Sequence, residues 1–470
     1  MNFRGDNMLD KNIAQAVLEV MMSTGGDFAE IFEETKYTAN YSMLNGIVEN
    51  ANSGTKYGIG LRIYNEFSSV YAYTNNNDFD SLLSTAKKLS ESISKEEIHS
   101  VKPLEEVVYE SKHKIEKRPS TFPASYKVEL MKRVNDTMLN YDPIIKKAII
   151  RYMEEEQQVL ICNSNGLYIS DDRVRTRLSM SAIAEENGKM QDGAHAPGAH
   201  AGLEFYDSID LEALAIDAAR MAKDMYYADE CPSGVMDVII DNGFGGVIFH
   251  EACGHALEAT SVAKNESVFA NKLGQKIAAD CVSAVDDATI PNAWGSNNID
   301  DEGNFTKSNL LIENGILKGY LVDQLNGRRM NTQSSSSGRR QGYNFEPTSR
   351  MSNTFILNGN DSIEEMISST KFGLYAKHLG GGSVNPTTGD FNFSVREGYL
   401  IEDGKIIKPV KGASLVGNGA DVLFRIDKVS NNLAREQGMC GSISGQIPAD
   451  VGQPTIRVKQ MSVGGRGGKI

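Results

Sequence analysis

The sequence predicts an α+β protein made of two unlike halves. The N-terminal half is a helix-flanked antiparallel sheet, and the C-terminal half is mostly antiparallel β with one functional helix. Three observations predict this. The first half repeats one order of helical and strand-like runs. After about residue 230 glycine becomes frequent and short strand-like runs dominate. Within that second half only DNGFGGVIFHEACGHALEATSV carries helical spacing. A chain of 470 residues exceeds one compact core. The domains expected are 1–228 and 229–470.

Residues 11–22 have the spacing of an amphipathic helix. Strand-like runs follow over 29–75, and a second helix at 79–94. A charged, Pro-containing stretch, 96–123, separates this unit from its echo. The echo has a helix at 125–141, the long strand-like runs IIKKAIIRYMEEEQQVLICN and GLYISDDRVRTRLSMSAIAE, a further strand-like LEFYD, and a helix at 209–226. The repeat lies in element order rather than in residues, as an internal duplication would leave it. GAHAPGAHAG, which holds His195 and His200, reads as a small-residue loop tip. In the second half SNLLIENGILKGYLVD, NTFILNG, FNFSVREGYLIEDGKI and TIRVKQMSV are strand-like, and ENG, EDG and NPTTGD punctuate them as turns.

Composition narrows the function. Apolar content of 40% and charged content of 23% are ordinary for a soluble globular chain. A net charge of -14 disfavours nucleic acid and anionic membrane as partners. No apolar run reaches the ~18 residues of a membrane span, and the first residues lack the apolar core of a signal peptide, so a cytoplasmic protein is expected. The five scattered cysteines suggest no disulfide framework.

HEACGH, residues 250–255, carries the chemistry. It resembles the H-E-x-x-H zinc helix with one residue added. At ~100° per residue, positions i and i+4 lie ~40° apart, but i and i+5 lie ~140° apart. His250 and His255 share an ion only if the helix widens between them. A π-type distortion or premature unwinding between Glu251 and His255 is therefore predicted, with Gly254 supplying backbone freedom. Neutral imidazoles suit zinc, and Glu251 is placed as general base for a water activated by the ion. Such a site should lose metal as pH falls toward the imidazole pKa of ~6.5. Cys253, Glu258 and Cys440 compete as third ligand, and the residues alone leave that choice open.

HEACGH, DDEGN at 300–304, SGRRQGYNFEPTSRMSNTFI at 337–356, YAKHLGGGSVNPTTGDFNFSVREGYLIEDGKI at 375–406, SLVGNG at 414–419 and GMCG at 438–441 together resemble the TldD/PmbA metallopeptidases. The likeness is to the metal-bearing, TldD-like branch. It implies one zinc ion per chain held by His250, His255 and Cys440, with Glu251 as base and Cys253 as filler. It also implies a two-fold pair, either a homodimer or a heterodimer with a metal-free paralogue. The pair would enclose a chamber in which unfolded or small peptides are cut. Older family names refer to DNA gyrase, and the acidic chain does not suit direct DNA binding.

Further expectations attach to single segments. NTQSSSSGRRQG, 331–342, is expected to be mobile, with Arg339, Arg340 or Tyr343 steadying an oxyanion or, alternatively, with the arginines at a partner interface. Asp300, Asp301 and Glu302 form either a second cation site or, more simply, an acidic turn. GGGSVNPTTGDF and GYLIEDG are candidates to accept a substrate strand edge-on. The rival functions are another metal-dependent amidohydrolase on the same helix and a non-catalytic partner with a structural metal.

Overall fold

The computed structural model describes residues 8–93, 98–385 and 388–469. The repeated element order is present as structure. Helix Lys11–Met22, strands Phe28–Leu44, Ile47–Asn65 and Ser68–Thr74, and helix Phe79–Ser90 form one unit. Helix Ala124–Tyr141, strands Ile145–Asn163, Leu167–Glu186 and Lys189–His195, and helix Leu211–Tyr227 form the other. Ser94, expected as the end of the second helix, lies outside the described residues. Asp10, Asp78 and Asp210 each accept a backbone N–H at the start of a helix, which fixes those boundaries.

The two long hairpins join through their first strands. Phe28–Leu44 pairs antiparallel with Ile145–Asn163 from Glu30↔Asn163 to Leu44↔Ile149, closing one eight-stranded sheet. That pairing relates the units by an approximate two-fold axis normal to the sheet, so both helix pairs cover the same face. Ile31, Leu61, Leu160 and Cys162 lie under the first pair of helices, and Ile150, Tyr152, Leu178 and Met180 under the second. Asn45–Gly46, Asn187–Gly188, Asn314–Gly315 and Asp403–Gly404 all have positive φ at both residues. This is the backbone of two-residue hairpin turns that match strand twist, and it is why Asn-Gly and Asp-Gly mark them.

The other face of the sheet is charged, and the C-terminal half packs on it. Arg62 bridges Glu30 (2.8 Å) and Glu302 (2.9 Å), and Arg173 pairs with Asp301 (2.6 Å). The acidic turn is thus a buried junction. Asp300 accepts the N–H groups of Glu302, Asn304 and Gly338. Burial pushes the Asp300 carboxyl up to about 7 and that of Glu302 up to about 8.

Two large sheets build the C-terminal half, one of eight strands and one of six, beside a two-stranded one. They are mostly antiparallel, with parallel pairings such as Gly234–Ile240 with Phe372–Val384 and Asn353–Ile356 with Gly445–Gln453. The HEACGH segment lies between them. Val247, Ile248, Phe249, Cys253 and Leu257 pack in one core with Val238, Leu374 and Leu415 of one sheet and Ile356, Ile447 and Val451 of the other.

Several local expectations differ from the structure. LEFYD is a 3₁₀ turn, Leu203–Asp207, because burial of Leu203 and Tyr206 follows an i, i+3 spacing that a strand would not produce. GAHAPGAHAG is not a loose loop tip: Lys189–His195 and Gly198–Ala199 both pair with Leu167–Glu186. Its histidines diverge. His195 bonds Asp217 (2.8 Å), whereas fully buried His200 bonds Ser296 O (2.9 Å) and stacks on His113. The 331–342 segment is not a mobile surface loop. Gly338–Arg339 pairs with Thr348–Ser349, and Ser336, Ser337, Arg339 and Arg340 are buried. GYLIEDG lacks an open edge, since Gly398–Glu402 is paired with a strand on each side. Pro386 and Thr387 of NPTTGD lie outside the described residues.

Candidate metal centre

The extra residue of HEACGH is absorbed by a widened turn. His250–Gly254 is one turn of π-helix, and the His255 N–H donates to His250 O, five residues back. It sits between a short α-turn, Val247–Phe249, and a 3₁₀ turn, His255–Leu257, so the segment is a broken helix. Asn242 stands at the N-cap position of the 3₁₀ turn Gly243–Gly246 that leads into it, without a side-chain cap bond. Asp241 accepts from Thr455 and Tyr375, and Asn242 donates to Asn432 O. Gly254 has ordinary helical angles, φ -54° and ψ -52°, so backbone freedom is not its role. Its role is space, because a Cβ there would lie 2.2 Å from Met351 Sδ.

The wide turn puts both imidazoles on one side. Their rings stand edge to face with centroids 5.2 Å apart. Cys440 reaches them from Ala434–Ser442, a strand held in register with Gly445–Gln453 by the pair Cys440↔Ile447. Its Sγ lies 3.3 Å from His250 Nε2 and 3.5 Å from His255 Nε2. The three ligand atoms all fall within 4.8 Å of one another, the only such group of metal-binding side chains among the described residues. Zinc bonds of ~2.05 Å to nitrogen and ~2.3 Å to sulfur at a tetrahedral angle separate N and S by about 3.5 Å, so the spacing fits one ion.

The charge state fits as well. Burial alone would raise the Cys440 pKa, but His250 and His255 beside the sulfur outweigh it and hold the thiol well below its ordinary range. Burial alone would lower His255, but Glu258 and the Cys440 sulfur outweigh it and hold the imidazole well above its usual range. The thiolate is the donor form, and His255, held protonated by Glu258 and that sulfur, gives up its proton when a cation takes its place. Cys253 is the opposite case: it is fully buried, and burial raises its thiol pKa.

Three residues complete the surroundings. Glu251 Oε2 is 3.8 Å from His255 Nε2, and its side chain is the most open of this set, 29% exposed. Glu258, weighed from sequence as a ligand, contacts His255 Nδ1 (3.3 Å), away from the sulfur; it orients the ring rather than joining the donor set. Arg350 was not foreseen. Fully buried, it donates to Cys440 O, Ser444 Oγ (2.8 Å) and Gly445 O (2.9 Å), and its Nε lies 3.9 Å from Glu258 Oε1. It ties the cysteine hairpin to the histidine segment. Its place in TSRMSN gives no local signal of this. Arg339, Arg340 and Tyr343 sit apart from this trio, on a cavity against the charged sheet face. Arg340 is committed to Glu30 (2.5 Å) and Asp301 O (2.7 Å), and Tyr343 lies over Gly58, where a Cβ would meet its ring at 2.3 Å.

Two histidines, a thiolate and an adjacent carboxylate make a site of the metallohydrolase class. Comparison with known proteins gives the family. The PmbA/TldA metallopeptidase domain 1 matches residues 29–93, the central domain 117–226 and the C-terminal domain 233–465. The chain belongs to the PmbA/TldD metallopeptidase family. It is 33% identical to a metalloprotease TldD homolog of Buchnera aphidicola, covering 95% of each chain. It is also 33% identical to a metalloprotease TldD homolog of Haemophilus influenzae, over 96% of this chain and 95% of the relative. A metalloprotease of Methanocaldococcus jannaschii is again 33% identical, over 96% of this chain and 99% of the relative. In fold, TldE from Thermococcus kodakarensis superposes with a TM-score of 0.75 at 18% identity, covering 96% of this chain and 99% of that one. These relatives support a peptidase that uses a metal ion. No helix among the described residues is long and apolar enough to cross a membrane.

Proposed function

We propose that the chain is a zinc-dependent peptidase of the TldD type that hydrolyses unfolded or small peptides. His250, His255 and Cys440 hold one zinc ion per chain, and Glu251 is the general base. The observation that carries this reading is the convergence of two imidazoles and a thiolate at tetrahedral spacing beside an open carboxylate. When bound, the ion supplies Lewis acidity toward a peptide carbonyl and a water. The protein supplies the rest. Glu251 takes the proton of the attacking water on a carboxylate oxygen and returns it to the departing amine. Glu258 holds the His255 ring through Nδ1, keeping Nε2 turned to the site. Arg350 fixes the Cys440 carbonyl and so the position of the sulfur. Substrate contact falls to the cavity lined by Arg339 and Tyr343, with Arg340 as part of its wall.

In this reading the catalytic domain is 229–470 and the N-terminal domain 1–228 covers it. The protein works in the cytosol, paired about a two-fold axis with itself or with a metal-free paralogue, so that the site faces a closed chamber. The TldE-like fold is compatible with either pairing.

Glu251→Gln is the deciding variant. Hydrolysis of an unstructured peptide should fall by about 10²–10⁴-fold, the usual worth of a general base, with zinc content unchanged. Intact hydrolysis with metal still bound would leave the ion a structural role only. Chelation that abolishes cleavage of a peptide, reversed by Zn²⁺, separates a peptidase from an amidohydrolase of other substrates.

A further inference from the structure

A cavity of about 280 Å³ lies between the charged face of the N-terminal sheet and the hairpin that carries Cys440. Its lining is rich in cations, and three of the buried or half-buried ones are matched. Lys36 pairs with Glu34 (3.0 Å), Arg173 with Asp171 and Asp301, and Arg340 with Glu30. Arg175 and Arg339 are not matched. They are 3% and 5% exposed, and among the described residues neither has a carboxylate within ion-pair distance.

Their bonds are to neutral acceptors. Arg175 donates from Nε to Trp294 O (2.9 Å) and from Nη2 to Ser296 O (2.8 Å) and Asn297 Oδ1 (2.6 Å), which leaves Nη1. Arg339 donates from Nη1 to Met351 O (2.6 Å), and its other N–H groups have no protein acceptor among the described residues. Burial and neighbouring guanidinium groups have the expected effect. Burial, with Arg173 adding to it, pushes Arg175 down to about 10, and burial together with Arg175 pushes Arg339 down to about 9. Two buried guanidinium groups with no carboxylate at ion-pair distance are costly, Glu155 and Asp301 on the same cavity offset that cost only in part, and a bound anion lowers it further.

We propose that this cavity is a carboxylate-binding subsite in which Arg175 and Arg339 together receive a carboxylate of the peptide substrate. The opposite wall includes Met439 and Pro448, a cross-strand pair whose side chains point to the face of the hairpin opposite Cys440, and Ala434–Ser442 is the edge strand of its sheet, so an extended peptide along that edge presents alternate residues to the cavity and to the cysteine. Guanidinium N–H groups match the planar carboxylate. The identity of the ligand as a peptide rests on the peptidase reading; the anion chemistry does not. The carboxylate comes from an Asp or Glu side chain or from the free C-terminus.

The test uses the full-length, zinc-loaded Glu251→Gln protein and four fluorescein-labelled unstructured octapeptides. They differ only in carrying an internal Glu or Gln, and a C-terminal carboxylate or amide. Binding is read by fluorescence anisotropy. Removing one of the two carboxylates should weaken binding by about tenfold, the worth of a charge-assisted hydrogen bond, and which one matters names the source. Arg339→Met should abolish the difference, and Arg339→Lys should retain part of it. Arg175 also anchors the 294–297 turn, so its removal risks the fold. Met439→Glu, at a residue 46% exposed on the cavity wall, avoids this and should weaken only the carboxylate-bearing peptide. Equal binding of all four peptides, or a difference that survives Arg339→Met, overturns the proposal. Wild-type protein that hydrolyses all four peptides while binding them alike keeps the peptidase reading and loses the subsite. A carboxylate preference in a chain that hydrolyses none does the reverse.

Discussion

Gly254→Ala sets two local effects against each other. Alanine in a helical position gains about 1 kcal/mol over glycine through backbone entropy. The new methyl, however, would lie 2.2 Å from Met351 Sδ, where contact requires about 3.5–4.0 Å. The sulfur must retreat by about 1.5 Å, and Met351 is fully buried in the core that surrounds the HEACGH segment. Overpacking of this kind costs about 1–3 kcal/mol, so the net expectation is a loss of up to about 2 kcal/mol. Metal affinity should fall with it, because the same displacement strains the turn that aligns His250 and His255. Met351→Ala alone should cost about 2–5 kcal/mol as a cavity. In the double variant the methyl introduced by Gly254→Ala occupies part of that cavity, so the loss should be less than additive by at least ~0.5 kcal/mol. Urea unfolding of the four proteins measures the cycle, and zinc titration against a chelator measures affinity. Stabilisation by Gly254→Ala, with additive behaviour in the double variant, would refute space as the reason for the glycine.

Further outcomes follow from the same geometry. Cys440→Ala should lose zinc on dialysis while Cys253→Ala retains it, read by metal analysis; the reverse would move the third ligand into the helix. Arg350→Met should lower zinc affinity about 10–100-fold, as removal of ligand-orienting contacts does, and lower unfolding free energy by about 3–5 kcal/mol, because Cys440 O, Gly445 O and Glu258 lose a buried partner. Burial raises Asp450 to about 7, against 3.8 for the free side chain. A carboxyl raised in the folded state stabilises most below its unfolded pKa, and that contribution is lost as pH rises through about 7. The unfolding free energy of wild type minus that of Asp450→Asn should therefore fall between pH ~5 and ~7 and level off above, and a pH-independent difference would contradict the assignment.

The sequence carried what depends on neighbours along the chain. Helical and alternating periodicity gave the repeated helix and strand order of the first half, and Asn-Gly and Asp-Gly marked the tight hairpins. The five-residue histidine spacing required a wide turn, because helix geometry is fixed by local arithmetic and holds wherever the segment lies. Local reading failed where burial pattern rather than composition set the structure. LEFYD looks like a strand until Leu203 and Tyr206 are seen facing one core. The glycine- and serine-rich 331–342 segment looks solvated until its arginines are found under the sheet.

Tertiary structure alone decided the relations between distant residues. From the residues, Cys253, Glu258 and Cys440 compete and the choice stays open, and the family resemblance favours the last. The fold supplies the physical reason: hairpin register aims Cys440 at both imidazoles, packing seals Cys253 into the core, and Glu258 meets the far nitrogen of His255. Gly254 proved to be about room for Met351, a contact 97 residues away that no helix rule contains. The unmatched charges of Arg175 and Arg339 exist only because two separate halves bury them against one cavity. Periodicity is a property of a segment, whereas a ligand set, a steric demand and an uncompensated charge are properties of surfaces that meet only once the chain has folded.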